Sequence, residues 1–450
     1  MRRRAAATLT CRGLATICFA LSSPELPSLG SPRRCTLLFN ACWLVQLTEH
    51  LKQQGYSPQS ARRRIIVAER FLAHLDQRHS AVEAVEPADV SLYLQKELQL
   101  FQQKRHRTPR SSMADWRRSH TAGIDMLLRL AHGEWPPVPL PSTPREAFHR
   151  DLCGQYDVWM RDLRGLAMDT RSSRCAEAHR FLAWLEGRGT PYDPLGVTVA
   201  EVDIYMKFRA ESQRRSSLRF LATNLRSFLS YLNATGRTNG DFSATVIGPT
   251  LYAFESIPSL LKPEDIKAIV EKTRQDHSKR GLRDLAILML LSSYGLRAGE
   301  ITSLRLEDVD WRGDVLRIRH SKTGAHSELP LLPAVGNAIL RYLQKGRPKT
   351  EARAIFIVDH APYCPFQSGS SLYWLVRNRL IAAGVVCQGK QGPHAFRHAR
   401  AVSLLRAAVP AKEIGDILGH RSASSTAVYL KLATEDLRAV ALEIPGEVNA

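Results

Sequence analysis

Leu282-Arg283-Asp284-Leu285-Ala286-Ile287-Leu288-Met289-Leu290-Leu291 runs, after two serines, into Tyr294-Gly295-Leu296-Arg297-Ala298-Gly299-Glu300. The first part is nearly all apolar, and a helix that is apolar all round is a buried one. The second part stops that helix at a glycine. It then places an arginine and a glutamate where a plain helical core would not want them.

Three more such spots follow. Val315 to Arg319 alternates, Ser321-Lys322-Thr323-Gly324 turns, and Glu328 to Leu331 returns, which predicts a short hairpin with Lys322 at its turn. The chain reads as helix again from about Ser371, and a Cys387–Pro393 loop leads into Gly392-Pro393-His394-Ala395-Phe396-Arg397-His398. Last comes Leu418-Gly419-His420-Arg421, with Tyr429 nine residues after the histidine. Taken singly, each has a bland explanation: a surface cap, a solvated lysine, a packed histidine, a core tyrosine. Their joint occurrence in this order is what asks for a site. The region holding them opens near Ile257-Pro258, where Pro263 suits a first helical turn.

Upstream the pattern is helical from Ala41 to about Gly133, and again from about Pro144 to Gly236. Between them lies Trp135-Pro136-Pro137-Val138-Pro139-Leu140-Pro141, too rich in proline for helix. The two stretches resemble each other. Gly55, Arg64, Ala68, Arg70, Phe71, Leu72, Ala73, Leu75 and Arg78 recur at one constant interval as Gly165, Arg174, Ala178, Arg180, Phe181, Leu182, Ala183, Leu185 and Arg188. Asp89-Val90-Ser91-Leu92-Tyr93 then parallels Glu201-Val202-Asp203-Ile204-Tyr205 at an interval two residues longer. A fixed interval with one slip in a loop is the pattern of a duplicated domain, although convergent amphipathic patterning supplies Leu and Ala matches freely. Arg62, Arg63, Arg64, Arg171, Arg174, Arg180, Arg214, Arg215 and Arg219 would give these modules basic faces for phosphates, which position a protein on DNA without reading sequence.

The chain has 450 residues, and at roughly 150 per domain that is about three domains. Lysine and arginine number 63 against 43 acidic residues, a net charge of +20, while 44% hydrophobic content is enough for real cores. That combination points to a folded protein with a polyanionic partner. No apolar run approaches the roughly 20 residues that span a bilayer. The cysteines at 11, 18, 35, 42, 153, 175, 364 and 387 form no CxxC pair and have no zinc-finger spacing, so reduced thiols in a cytosol are expected. The first forty residues stand apart: Arg2-Arg3-Arg4, an apolar stretch from Leu14 to Leu21, then a Ser/Pro-rich passage. They read either as a secretory signal or as a poorly ordered basic leader, and the DNA-handling character of the rest favours the leader.

The third region resembles the catalytic domain of the tyrosine recombinase (phage integrase) family. The resemblance rests on Gly295-Leu296-Arg297 with Glu300, Lys322 in a hairpin, His394 with Arg397, Leu418-Gly419-His420, and Tyr429. It covers residues 257–440 and implies a mainly α, multidomain protein. Residues 41–135 and 144–245 would be two helical, SAM-like core-binding modules. Residues 257–440 would be an α-rich integrase catalytic domain with a small antiparallel β-sheet, and residues 441–450 a tail. A duplicated first module departs from the many members that have one.

The residue types fit the chemistry so implied. Breaking a phosphodiester without a metal needs a nucleophile, neutralisation of the non-bridging oxygens, and a proton for the leaving oxygen. Tyr429 would attack and form a phosphotyrosyl bond. Arg297 and Arg397 would hold the phosphate bidentately. Lys322 would protonate the departing 5′ oxygen. His394 would accept the tyrosine proton or hold the phosphate, and His420 would donate a hydrogen bond to it. His398 lies four residues from His394, and only the family spacing favours His394 over it. No phosphate loop, HExxH or paired-carboxylate cluster is present in the sequence, so neither a cofactor nor a metal is expected.

The expected function is site-specific recombination for a mobile bacterial element, as its integrase or transposase. Expected partners are double-stranded DNA with a specific site, three further copies in a homo-tetramer, and sister recombinases of the same element. The expected location is the cytoplasm, with no membrane. Two other readings are a non-catalytic DNA-binding partner of an active relative and a type IB topoisomerase-like enzyme.

Overall fold

The computed structural model describes residues 40–105, 112–189, 194–251, 261–320, 324, 326–386, 389 and 391–419. The chain divides into two compact units at Pro137/Val138. The first unit contains helices α1 (Ala41–Gln53), α2 (Pro58–Gln77), α3 (Pro87–Arg105) and α4 (Met113–His132), with a short 3₁₀ turn at Val82–Ala84. Ser57 caps α2 by accepting from the Ser60 N–H, and Pro58 occupies its first turn, where a missing N–H costs nothing. Phe71, Leu72, Leu75 and Ala68 of α2 are sealed against Ile124, Leu127 and Leu128 of α4. At Gly123 any side chain would collide with the Arg64 carbonyl, so α2 and α4 meet backbone to backbone.

The second unit begins with four helices of the same kind: α5 (Pro144–Asp162), α6 (Met168–Gly187), α7 (Val199–Ser212) and α8 (Arg215–Ala234), with a 3₁₀ turn at Pro194–Gly196 before α7. Details repeat the first unit. Gly55 and Gly165 both have positive φ (73° and 57°) ahead of α2 and α6. Phe71 meets Tyr93 edge-on at 5.1 Å and 70°, and Phe181 meets Tyr205 at 5.0 Å and 68°. Arg78 and Arg188 end their helices with nearly equal dihedrals (φ −99°, ψ 1° and φ −98°, ψ 3°). The two four-helix stretches thus share element order and packing geometry.

From Leu261 onward the unit is built round one helix. The elements are α9 (Pro263–Arg274), α10 (Lys279–Tyr294), α11 (Ala298–Ser303), strands β1 (Val309–Asp310), β2 (Val315–Arg319) and β3 (His326–Pro330), α12 (Pro333–Arg341) running into a π turn, α13 (Ser371–Ala382), α14 (Pro393–Arg406) and α15 (Ala411–Leu418). The sheet is antiparallel in the order β1-β2-β3, with Leu316 opposite Leu329 and Ile318 opposite Ser327. Helix α10 is the predicted buried one: Ala286, Ile287, Leu288, Leu290 and Leu291 are fully enclosed, and α9, α12 and α14 pack on it. Its two charges stay buried because they are paired. Arg283 donates to Asp284 Oδ1 at 2.9 Å, and Arg379 of α13 donates to Asp284 Oδ2 at 2.7 Å while reaching Asp276 at 2.8 Å.

The mainly α architecture with a small antiparallel sheet is the expected one. β3 begins two residues earlier than the alternation suggests, because pairing with β2 extends to His326 opposite Arg319. The leader and the tail of the sequence reading (1–40 and 441–450) fall outside the described residues except for Asn40. Among the described residues no helix is long and apolar enough to cross a membrane, and Cys42, Cys153, Cys175 and Cys364 are free thiols.

Candidate active site

The end of α10 sets the site. Gly295 closes the helix in the left-handed conformation (φ 65°), and a Cβ there would stand 2.9 Å from Leu418 Cδ2. Glycine is thus required both by the backbone and by the closeness of α15. The chain then turns so that Arg297 becomes the N-cap of the short helix α11, with Glu300 at its third position. The Glu300 carboxylate accepts the Arg297 backbone N–H at 2.8 Å and the Arg297 guanidinium at 2.7 Å. A carboxylate in the first turn of a helix is favoured there, since the helix end carries partial positive charge.

The remaining partner of Glu300 comes from the sheet. His320, directly after β2, continues the inward phase of Leu316 and Ile318 and is 3% exposed. Its Nδ1 lies 2.8 Å from Glu300 Oε1 and its Nε2 lies 2.8 Å from Ser327 Oγ on β3. Burial by itself would push the Glu300 carboxyl up. The hydrogen bonds from His320 and from the Arg297 backbone and side chain outweigh it and hold the group below the ordinary carboxylate value. Beyond His320 the hairpin turns, with Gly324 donating to the His320 carbonyl at 2.8 Å.

Both arginines of the sequence reading arrive at one place. Arg297 donates through Nη2 to the Gly419 carbonyl at 2.7 Å. Arg397, buried in the middle of α14, donates to the Leu418 carbonyl at 2.6 Å and to the Gly295 carbonyl at 2.9 Å. Consecutive carbonyls at the end of α15 are therefore held by two guanidinium groups from distant parts of the chain. Such carbonyls lack partners within their own helix, and charged donors satisfy them well. The Arg297 side chain is 20% exposed, and its bonds to the described residues Glu300 and Gly419 use two of the five N–H groups that a guanidinium carries. His394 lies in the first turn of α14, exposed, with its ring stacked on that of half-buried His398 at 6.3 Å. The two histidines share one face, as their spacing predicts. Lys322, His420 and Tyr429 lie outside the described residues.

His320 is the residue the sequence reading missed. The alternation of β2 carried the signal: Leu316, Ile318 and His320 share one face, and a histidine in the third place of a buried row needs polar partners inside. The nine arginines expected on the basic faces divide in two. Arg62, Arg63, Arg180, Arg214, Arg215 and Arg219 are exposed. Arg64 lies over the Tyr56 ring at 4.6 Å, Arg171 pairs with Asp157 at 3.5 Å, and Arg174 donates to Ser227 at 2.8 Å, so these three also serve the packing. In the second module an open groove of about 820 Å³ lies over buried Glu177, with Arg180, Arg209, Gln213 and Ser216 among its walls. Glu177 accepts from Arg180 at 3.0 Å, from Arg209 at 3.1 Å and from the Tyr205 hydroxyl. The corresponding groove of the first module, about 410 Å³, is lined by Arg70, Glu97, Phe101, Lys104, Trp116 and His120.

Residues 259–436 match the model of the phage integrase family. A Sinorhizobium fredii protein named as an integrase/recombinase, y4gC, is 57% identical over 195 residues, covering 43% of this chain and 100% of that relative. A second from the same organism, y4rA, is 29% identical over 411 residues, covering 91% of this chain and 95% of its own. Among solved structures, the XerH site-specific recombinase bound to a palindromic difH substrate in a post-cleavage complex is similar in fold. Its TM-score is 0.51 at 13% identity, over 66% of this chain and 87% of that one. The chain belongs to the phage integrase family. It is a tyrosine recombinase, an enzyme that breaks and rejoins DNA strands.

Proposed function

We propose that this recombinase acts at a specific duplex site through Tyr429, forming a 3′-phosphotyrosyl bond and releasing a 5′ hydroxyl. In this reading Arg297 and Arg397 hold the scissile phosphate, Lys322 protonates the leaving oxygen, His394 takes the tyrosine proton or binds the phosphate, and His420 donates to it. The observation that carries it is the convergence of Arg297 and Arg397 on the carbonyls of Leu418 and Gly419, immediately before His420. Two permanently charged forks brought to one helix end suit a phosphate whose charge grows in the transition state. The phosphotyrosyl bond keeps the energy of the broken strand, so rejoining needs no ATP.

Residues 41–135 and 144–245 would be two core-binding modules gripping duplex DNA, and 257–440 the catalytic domain. The assembly would be a homo-tetramer on DNA in the bacterial cytoplasm, serving the integration or transposition of a mobile element, alone or with sister recombinases. The XerH structure in its difH complex supports the DNA partner by likeness of fold. The test is a nicked suicide duplex carrying an end of the element. Wild-type protein should form a covalent protein–DNA adduct and Tyr429→Phe none. No adduct with wild-type protein refutes the catalytic reading, and an adduct that survives Tyr429→Phe refutes the assignment of the nucleophile.

A further inference from the structure

We propose that His320 is a positioning residue for strand cleavage, holding Arg297 at its working angle through Glu300 and locking that pair to the hairpin and to the end of α15. The proposal rests on the recombinase reading above and adds a residue to it.

Three contacts meet on one imidazole ring. Nδ1 faces Glu300 Oε1 at 2.8 Å, the same oxygen that receives the Arg297 guanidinium at 2.7 Å. Nε2 faces Ser327 Oγ on β3 at 2.8 Å. The ring also lies against Gly419, where a Cβ would stand 2.5 Å from Cε1, so only a glycine lets the helix end approach this closely. An ionised carboxylate accepts only, so the proton of this pair is on Nδ1, and the Ser327 hydroxyl can turn to serve Nε2 whichever way the bond runs. The ring is 3% exposed and its orientation is fixed from both ends.

The consequence follows from geometry. Held at Oε2 by the Arg297 backbone N–H alone, the Glu300 carboxylate could still swing its other oxygen, Oε1, and carry the Arg297 guanidinium with it. With His320 on the shared oxygen, the carboxylate has one orientation and the guanidinium inherits it. His320 also stands next to Ser321-Lys322 in the chain and touches Gly419, the neighbour of His420. One ring thus refers Arg297, through Glu300, to a common frame with β3 and the end of α15. A phosphate clamp misplaced by about 1 Å loses rate steeply, which is the effect this arrangement prevents.

The test uses the full-length protein with His320→Ala, His320→Asn and Ser327→Ala, and nicked duplexes tiled from the DNA that flanks its gene. Adduct formation is followed at saturating protein and, separately, as a function of protein concentration, beside thermal unfolding. His320→Ala should lower the saturated rate by roughly 10- to 100-fold, with the half-saturating concentration little changed. The amide N–H of asparagine overlays Nδ1, so His320→Asn should recover most of that loss, and Ser327→Ala should fall between. A wild-type rate in His320→Ala overturns the proposal. So does a loss confined to the half-saturating concentration, or an equal loss in the alanine and asparagine variants. If His320→Ala does not fold, wild-type rates in both His320→Asn and Ser327→Ala overturn it. No adduct with wild-type protein overturns the recombinase reading and this one with it, whereas a wild-type adduct with indifferent variants overturns this one alone.

Discussion

Glu300 shows how much one side chain can be asked to do. It is 2% exposed, caps α11, orients Arg297 and receives His320. Its folded-state pKa lies below the ordinary glutamate value of about 4.3. A carboxylate depressed on folding contributes stability that is complete above the unfolded value and is lost as pH falls through the lower folded one. Urea titrations of the wild-type protein should therefore lose unfolding free energy as pH drops below about 4.3. Glu300→Gln should start about 1–3 kcal/mol lower at neutral pH, for the hydrogen bonds it weakens, and decline less over the same acidic window. A steeper acid decline in the variant would contradict this account. At this scale the sequence was legible where chemistry is local. Arg297 and Glu300 sit three apart at a helix start, so their pairing can be read directly, and the spacing of His394 and Arg397 places both on one helix. That Arg297 and Arg397 would take the carbonyls of Leu418 and Gly419 could not be read, because those bonds join segments distant in the chain.

Among elements, α10 decides the fold from Leu261 onward, and its apolar run was legible because burial on all sides leaves no polar stripe. What periodicity did not show is how Arg283 and Asp284 survive inside it. The answer is Arg379, contributed by α13 and bonded to Asp284 and Asp276 at once. Breaking such a buried pair from one side leaves a charge uncompensated and typically costs about 3–5 kcal/mol. Arg379→Met should lower stability by up to about that amount, while adding Asp284→Asn, which keeps an acceptor for Arg283 and leaves Arg283 paired with Asp359, should recover part of it, measured by denaturant midpoint. Recovery absent from the double variant would place the cost elsewhere than in the stranded charge.

For the whole molecule, the surplus of +20 has acquired a layout, with exposed arginines on α2, α6 and α8 and a cationic site at the end of α15. The division at Pro137/Val138 falls inside the proline-rich stretch, where Val138 is 73% and Leu140 88% exposed. Exposed chain between compact units is where proteases cut first. Brief digestion with a broad-specificity protease should nick the chain near Ser142, just beyond the prolines, giving an N-terminal fragment and a larger C-terminal one before either is degraded. First cuts inside α2 or α6 would refute the two-unit organisation.

A protein that carries two modules of like plan runs a particular hazard while folding, since a helix of one can settle into the other. The backbone contact between Gly123 and Arg64 gives this chain a safeguard. The α6 counterpart of Arg64 is Arg174, and it donates instead to the hydroxyl of Ser227 in α8 at 2.8 Å. Helix α8 offered to α2 would bring that serine's side chain to a spot where not even a methyl group fits. Modules of one plan thus differ at the contact that seats this helix on its partner, which disfavours an exchange of parts.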